Sequence, residues 1–149
     1  MFLGKYEHSL DDKNRVVLPA ALRKDLSDQK LQKGFVLAAG TQNKFLELHT
    51  KGEWSLHSKT LDDKHPVGEL KEEQELHGIY SNVYEMPLDR QYRLLIPEEI
   101  KKLVGIQRDV YFIGMTKKIV IYAKEAWEAY LLKQVQEKKE SGEAVQGPA

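Results

Sequence analysis

Short apolar runs, rich in β-branched residues and separated by polar turns, dominate this chain, and most of them read as strands rather than helices. Residues 6–10 and 15–18 predict two strands that return on each other as a hairpin about the polar turn Asp11-Asp12-Lys13-Asn14. Pro19 opens a short helix, where its missing N–H is not needed, with Ala21, Leu22 and Leu26 inward and Arg23 and Lys24 outward. Residues 35–39 and 45–49 predict two more strands about the loop 40–44. The same order then recurs: strands at 82–86 and 93–96 about Asp89-Arg90-Gln91-Tyr92, and a helix opened by Pro97-Glu98-Glu99. Closing strands follow at 110–115 and 119–123, joined by the basic turn Thr116-Lys117-Lys118. Between the two sets, residues 50–56 predict a helix capped near Thr50, 59–66 a loop and 67–77 a charged helical connector. From Lys124 a longer helix carries Trp127, Tyr130, Leu131 and Val135 at helical spacing, and residues 141–149 have the composition of a disordered tail.

The recurrence is literal at its centre. Leu10-Asp11-Asp12-Lys13-Asn14-Arg15-Val16-Val17-Leu18-Pro19 returns as Leu88-Asp89-Arg90-Gln91-Tyr92-Arg93-Leu94-Leu95-Ile96-Pro97, so Asp-x-x-x-Arg, three apolar residues and Pro repeat at a constant offset of 78. Tyr6 matches Tyr84 at that offset, while Gly40 matches Gly114 at 74, so the first copy holds about four extra residues between. Trp54 answers Trp127. Such an echo indicates duplication of a β-turn-β-α-β-β unit. Each copy is roughly fifty residues, too few to bury a comfortable core alone, so the two are expected to share one barrel or sandwich.

Composition narrows the classes. The chain has 149 residues, of which 41% are hydrophobic and 31% charged, as in a water-soluble globular protein. No apolar run approaches the ~18–20 residues of a membrane span, and the opening residues lack the apolar stretch of a signal peptide. With no cysteine as well, a cytoplasmic protein without a membrane partner is expected. The net charge is zero, but it is unevenly spread. Residues 1–50 carry eight Lys/Arg against six Asp/Glu and residues 83–123 seven against five, whereas 51–82 carry four against seven and 124–149 four against five. Both copies lean basic; the connector and tail lean acidic. His8, His49, His57, His65 and His77 lack metal-ligand spacing, so no metal is expected. The serines have no nucleophile context, there is no Gly-rich phosphate cradle, and Glu72-Glu73 and Glu98-Glu99 diverge on their helices. No residue set suggests an enzyme, a cofactor or a small-molecule substrate.

The doubled Asp-x-x-x-Arg motif on two β-turn-β-α-β-β units, with the opening Met1-Phe2-Leu3-Gly4, resembles the MraZ family of bacterial transcriptional regulators, which carry two tandem SpoVT-AbrB-type domains. The likeness covers about residues 1–132. It implies an α+β, mainly β fold: an AbrB-type swapped-hairpin barrel formed by two β-β-α-β-β repeats of one chain, with flanking helices. The repeats would be residues 5–50 and 81–123, joined by a partly helical connector 51–80 and followed by a C-terminal helix 124–140 and the tail 141–149. It further implies a nucleoid-associated repressor that binds double-stranded DNA at direct repeats upstream of the operon for cell division and cell-wall synthesis, as a ring-shaped homo-oligomer. An antitoxin-like protein-binding module of the same fold, engaging a partner through the C-terminal helix, is the alternative.

Carried over by position, the motif residues are Asp11, Arg15, Asp89 and Arg93. An ionised Asp only accepts hydrogen bonds, so Asp11 and Asp89 would clasp the turn amides and hold an Arg four residues on. Arg15 and Arg93 could bond phosphate or read guanine in the major groove, or be consumed by their own Asp. Lys13 and Arg90 stand at the turn tips and suit phosphate; Arg23 and Lys24 are weaker candidates for DNA contact. Asn14 tolerates positive φ, but the bulk of Tyr92 at the matching position predicts a second turn of different shape. The acidic stretch 69–75 makes the connector a poor DNA surface. Because affinity scales with phosphates neutralised, a neutral subunit would need several copies to bind well. Phe2, Leu3, Trp127 and Tyr130 are candidates for either the subunit interface or the core.

Overall fold

The fold is taken from a computed structural model that describes residues 1–65 and 68–142. The first copy comprises β1 (Phe2–Ser9), β2 (Arg15–Val17), α1 (Ala20–Arg23), α2 (Asp28–Lys33), β3 (Phe35–Ala39) and β4 (Leu46–Thr50), with a short 3-10 turn at Thr41–Asn43. Helices α3 (Lys51–Lys64) and α4 (Leu70–Tyr80) connect it to the second copy: β5 (Val83–Met86), β6 (Arg93–Leu95), α5 (Glu98–Leu103), β7 (Asp109–Thr116) and β8 (Lys118–Ala123). Helix α6 (Lys124–Ser141) follows. The protein is thus mixed α+β, mainly antiparallel sheet with six helices among the described residues. No helix there is long and apolar enough to cross a membrane.

The strands pair across the copies. β1 lies antiparallel to β7, with Gly4 opposite Gly114, and β5 lies antiparallel to β3, with Leu37 opposite Tyr84. Each copy therefore lends its first strand to the other copy's closing hairpin. β4 and β8 join the two hairpins at the centre, Leu48 opposite Ile119 and Leu46 opposite Ile121, giving the order β1-β7-β8-β4-β3-β5. β2 and β6 pair only with each other, Val16 opposite Leu94. The order reads the same from both ends, as a pseudo-twofold requires.

This pairing corrects the expected hairpin. The strands on either side of each Asp turn do not form a ladder with one another. Asp11 N–H donates to the Arg15 carbonyl at 2.8 Å, but the ladder beyond belongs to the other copy, where Leu18 N–H donates to Tyr92 at 2.9 Å and Ile96 N–H to Asn14 at 2.9 Å. A three-residue strand offers too few bonds to hold a hairpin, whereas cross-pairing also buries Val16 and Leu94 together. Nor do the strands close a barrel among the described residues; they form an open six-stranded sheet and a separate two-stranded ladder.

Alternation decides what is buried. In β2 and β6 the middle residues Val16 and Leu94 point inward, and Arg15, Val17, Arg93 and Leu95 point out. Leu18, Leu22, Leu46 and Leu48 of the first copy meet Ile96, Ile100, Ile119 and Ile121 of the second, all fully buried around Phe35 and Phe112. Burying such a side chain contributes roughly 1.5–3 kcal/mol, and half of each pair comes from the other copy.

Other departures concern helices. The extra residues of the first copy lie beside α2, where the Ser27 hydroxyl accepts from Lys30 N–H at 3.2 Å and Gly34 ends the helix at φ 77°. Residues 59–64, expected as loop, continue α3 because Trp54, His57, Leu61 and His65 repeat along one half-buried face. Thr50 caps α3 through Glu53 N–H at 3.2 Å, and Tyr80 of α4 donates to Asp62 at 3.1 Å. Ser141 belongs to α6, which Gly142 ends in the left-handed conformation; the rest of the expected tail, 143–149, and the connector residues 66 and 67 lie outside the described residues.

Gly114 marks how tightly β1 is laid on β7: a Cβ there would stand 2.4 Å from Leu3 N and 2.5 Å from Phe2 C, both backbone atoms. Gly114→Ala is expected to lower the unfolding free energy by ~1–3 kcal/mol. Gly78→Ala, on α4 with open space where Cβ would go, should raise it by ~0.5–1 kcal/mol. Urea unfolding of the two variants measures both; a neutral Gly114→Ala would contradict the strand exchange.

Candidate nucleic-acid interface

Each motif Asp closes its turn with three hydrogen bonds. Asp11 Oδ1 accepts from the amides of Lys13 and Arg15, both at 2.9 Å, and Oδ2 from Arg15 Nε at 2.8 Å. Asp89 repeats the set with Gln91 at 2.8 Å, Arg93 at 2.9 Å and Arg93 Nε at 2.7 Å. The Arg15 amide, followed by its guanidinium and the Lys13 amide, holds the Asp11 carboxyl below its ordinary 3.8, and the Arg93 amide leads the same lowering at Asp89.

The expected difference in shape between the turns is absent. Asn14 sits at φ 61° and Tyr92 at φ 58°. A left-handed Tyr costs on the order of 1–3 kcal/mol, and the surroundings compensate. Tyr92 carbonyl accepts from Leu18 N–H, and the Arg23 guanidinium lies 3.8 Å above the Tyr92 ring. The first turn is braced by other chemistry at the same place: Asn14 Nδ2 donates to Glu98 at 2.7 Å and Asn14 Oδ1 accepts from Lys101 Nζ at 3.0 Å. Arg23 and Lys101 are themselves related by the offset of 78. Each turn is thus fastened to the helix of the other copy.

This arrangement sorts the sequence candidates. Arg15 and Arg93 come together: they sit diagonally on the outer face of the β2–β6 ladder, line one cleft of about 240 Å³ with Leu88 and Leu95, and Arg93 Nη1 lies 4.0 Å from Asp11. Their Asp partners engage Nε, so the outer guanidinium nitrogens carry no hydrogen bond among the described residues. Lys13 and Arg90 are exposed at the turn tips without a side-chain partner among the described residues, as is Lys24. Arg23 differs from expectation: half-buried, it donates from Nε to the Leu18 carbonyl at 3.1 Å and stacks on Tyr92, so it braces a turn rather than standing free. Lys101, the residue sequence reasoning missed, does likewise; its signal was its offset from Arg23.

The aromatic candidates separate too. Phe2 is buried in the core and Leu3 is exposed. Trp127 packs against Tyr122 and Tyr130, ring centroids 5.1 and 5.4 Å away, while Tyr130 remains substantially exposed.

A two-stranded ribbon has the width of a major groove, and arginine pairs bidentately with guanine O6 and N7 or with phosphate. The outer face here offers two such arginines, two exposed apolar side chains, Val17 and Leu95, and cations at both tips.

Sequence relationships give the family. The family model described as "MraZ protein, putative antitoxin-like" matches residues 1–71 and 79–146. The chain belongs to the MraZ family. It is 32% identical over 130 residues to a transcriptional regulator MraZ of Clostridium tetani, covering 87% of each chain. To that of Clostridium beijerinckii it is 34% identical over 133 residues, again 87% of each. To that of Syntrophomonas wolfei it is 34% identical over 130 residues, 87% of this chain and 86% of the relative. The match in two segments follows the two MraZ copies.

Because both Asp groups titrate lower folded than unfolded, their contribution to stability is present above the ordinary value of 3.8 and is lost as pH falls through the folded value. Asp11→Ala and Asp89→Ala should each unfold at lower urea than the parent at pH 7, and the gap should close in strong acid. A gap that persists at pH 2 would mean that the carboxylates do not clasp the turns.

Proposed function

We propose that this protein is a transcriptional regulator that binds double-stranded DNA through the paired turns of β2 and β6. The relatives carry that regulator name, and the observation that supports a DNA mode is the convergence of Arg15 and Arg93 on one face, each oriented by its own Asp. In this reading Arg15 and Arg93 read bases in the major groove, Lys13 and Arg90 engage phosphates, Lys24 adds a weak contact, and Asp11, Asp89, Asn14 and Arg23 keep the turns rigid. The repeats 5–50 and 81–123, with their exchanged strands, act as one AbrB-type swapped unit; the connector 51–80 and helix 124–140 flank it.

Charge sets a limit. Residues 11–15 carry two acids and two cations, and residues 89–93 one acid and two cations, so the exposed ridge is only +1. One subunit would bind a polyanion weakly. We infer a ring-shaped homo-oligomer acting at direct repeats upstream of the cell-division and cell-wall operon, where later contacts become intramolecular and raise affinity by ~10²–10⁴. Exposed Leu3 and Met115, opposite each other on β1 and β7, offer apolar surface for such assembly. Repression, a nucleoid location and the absence of enzymatic activity belong to the same reading. An antitoxin-like module is the second reading, favoured by exposed Tyr130 and Leu132 on α6 and by the family description.

The test titrates the full chain with DNA carrying tandem upstream repeats and with scrambled DNA at two salt concentrations. Arg15→Ala and Arg93→Ala should each lose ~1–3 kcal/mol of the difference between the DNAs. Lys13→Ala should weaken both DNAs alike and reduce the salt slope by ~0.9. Full discrimination in both arginine variants would overturn the assignment of readout to these residues. Loss of binding to a partner protein on Leu132→Lys, with DNA never bound, would favour the second reading.

A further inference from the structure

We propose that Glu47, His49 and His57 form a binding site for a divalent transition-metal ion, zinc by its donor set, that ties helix α3 to strand β4. The spacing of histidines in the sequence predicts no such site, because its parts come from two elements. Leu46 and Leu48 of β4 face the core, so Glu47 and His49, two residues apart, share the opposite face. Helix α3 follows directly and folds back over that face, and its second turn carries His57 there.

The donor atoms of the three residues lie within 4.8 Å of one another. His49 Nε2 is 3.0 Å from Glu47 Oε1, and the imidazoles of His49 and His57 have centroids 5.2 Å apart with planes 20° from parallel. With Zn–N distances of ~2.0–2.1 Å and a tetrahedral angle, two imidazole centroids stand about 5 Å apart, so the separation suits a shared ion, and ligation requires the near-parallel rings to rotate about their side-chain torsions until both nitrogens face it. Lys118 Nζ lies 3.2 Å from Glu47 Oε2, leaving Oε1 toward His49, as an outer-shell donor holds a ligating carboxylate. His49 is buried, whereas half-buried His57 has no hydrogen-bond partner among the described residues. Access is open: Glu47 and His57 line a groove of about 910 Å³, and His49 and His57 line a smaller cleft with Glu53 and Thr60.

A second cluster, His65, Glu72 and Glu75, lacks this character. His65 Nδ1 is 2.8 Å from the Leu61 carbonyl, which commits that nitrogen to the end of α3, and only Nε2, 3.6 Å from Glu75, faces the carboxylates. It serves as the control.

The full chain, stripped with chelator, is titrated calorimetrically with zinc sulfate, and in parallel with cobalt(II), whose visible absorption reports tetrahedral coordination. Saturation at one ion per chain and a rise in unfolding temperature with zinc are expected. His57→Gln and Glu47→Gln, with unchanged far-ultraviolet dichroism, should weaken binding at least tenfold and remove the cobalt bands, whereas His65→Ala should bind as the parent does. Absence of saturable binding, undiminished affinity in His57→Gln, or loss of binding in His65→Ala would each overturn the site.

Discussion

The short ladder between β2 and β6 is the constraint on which the rest depends. Each strand has three residues and finds its only ladder partner, among the described residues, in the other copy. Once Val16 faces Leu94, the strands entering and leaving the two turns are committed. β1 must run on to β7 and β5 to β3, because their own copies' closing hairpins lie across the pseudo-twofold. Neither copy then holds a complete sheet or a complete core. The close approach of β1 over Gly114 and the mixed origin of the buried leucines and isoleucines are consequences of that interlocking.

The same constraint builds the surface. A turn that merely hung from a hairpin would sample many orientations; these are fastened three times over. An Asp carboxylate gathers two amides and a guanidinium, the ladder bonds join the copies, and each turn is braced on the opposite copy's helix, through Arg23 on Tyr92 and through Lys101 and Glu98 on Asn14. Rigidity of this kind would reduce the entropy lost in the proposed contact of the arginines with DNA. It also uses charge. The acids that position the cations cancel much of their field, so under the proposed function affinity would have to come from geometry and from the number of copies presented, not from net charge.

Much of this was legible in the sequence. The offset of 78 carried the duplication, the turn motif and the pseudo-symmetry, and apolar runs between polar turns located the strands within a few residues. The choice of pairing partner was not legible in the residue pattern, since two copies with the same pattern can pair within a copy or across copies; only the family resemblance implied an exchange. The shape of the Tyr92 turn was hidden because its support comes from Arg23, distant in sequence and related to the turn only through the fold. Arg23 read as an outward charge for the same reason. The length of α3 was missed because its half-buried face carries Trp and His among many charges, so its hydrophobic stripe is faint. Glu47, His49 and His57 were separable only by seeing α3 fold back on β4.

The central claim is that both turns act as one binding element. Amide hydrogen exchange of the full chain, free and bound to a duplex carrying tandem upstream repeats, tests it directly. Residues 11–17 and 89–95 should gain protection together and to a similar degree, with β1 and β7 little changed. Protection of one turn alone, or protection confined to α6, would contradict it.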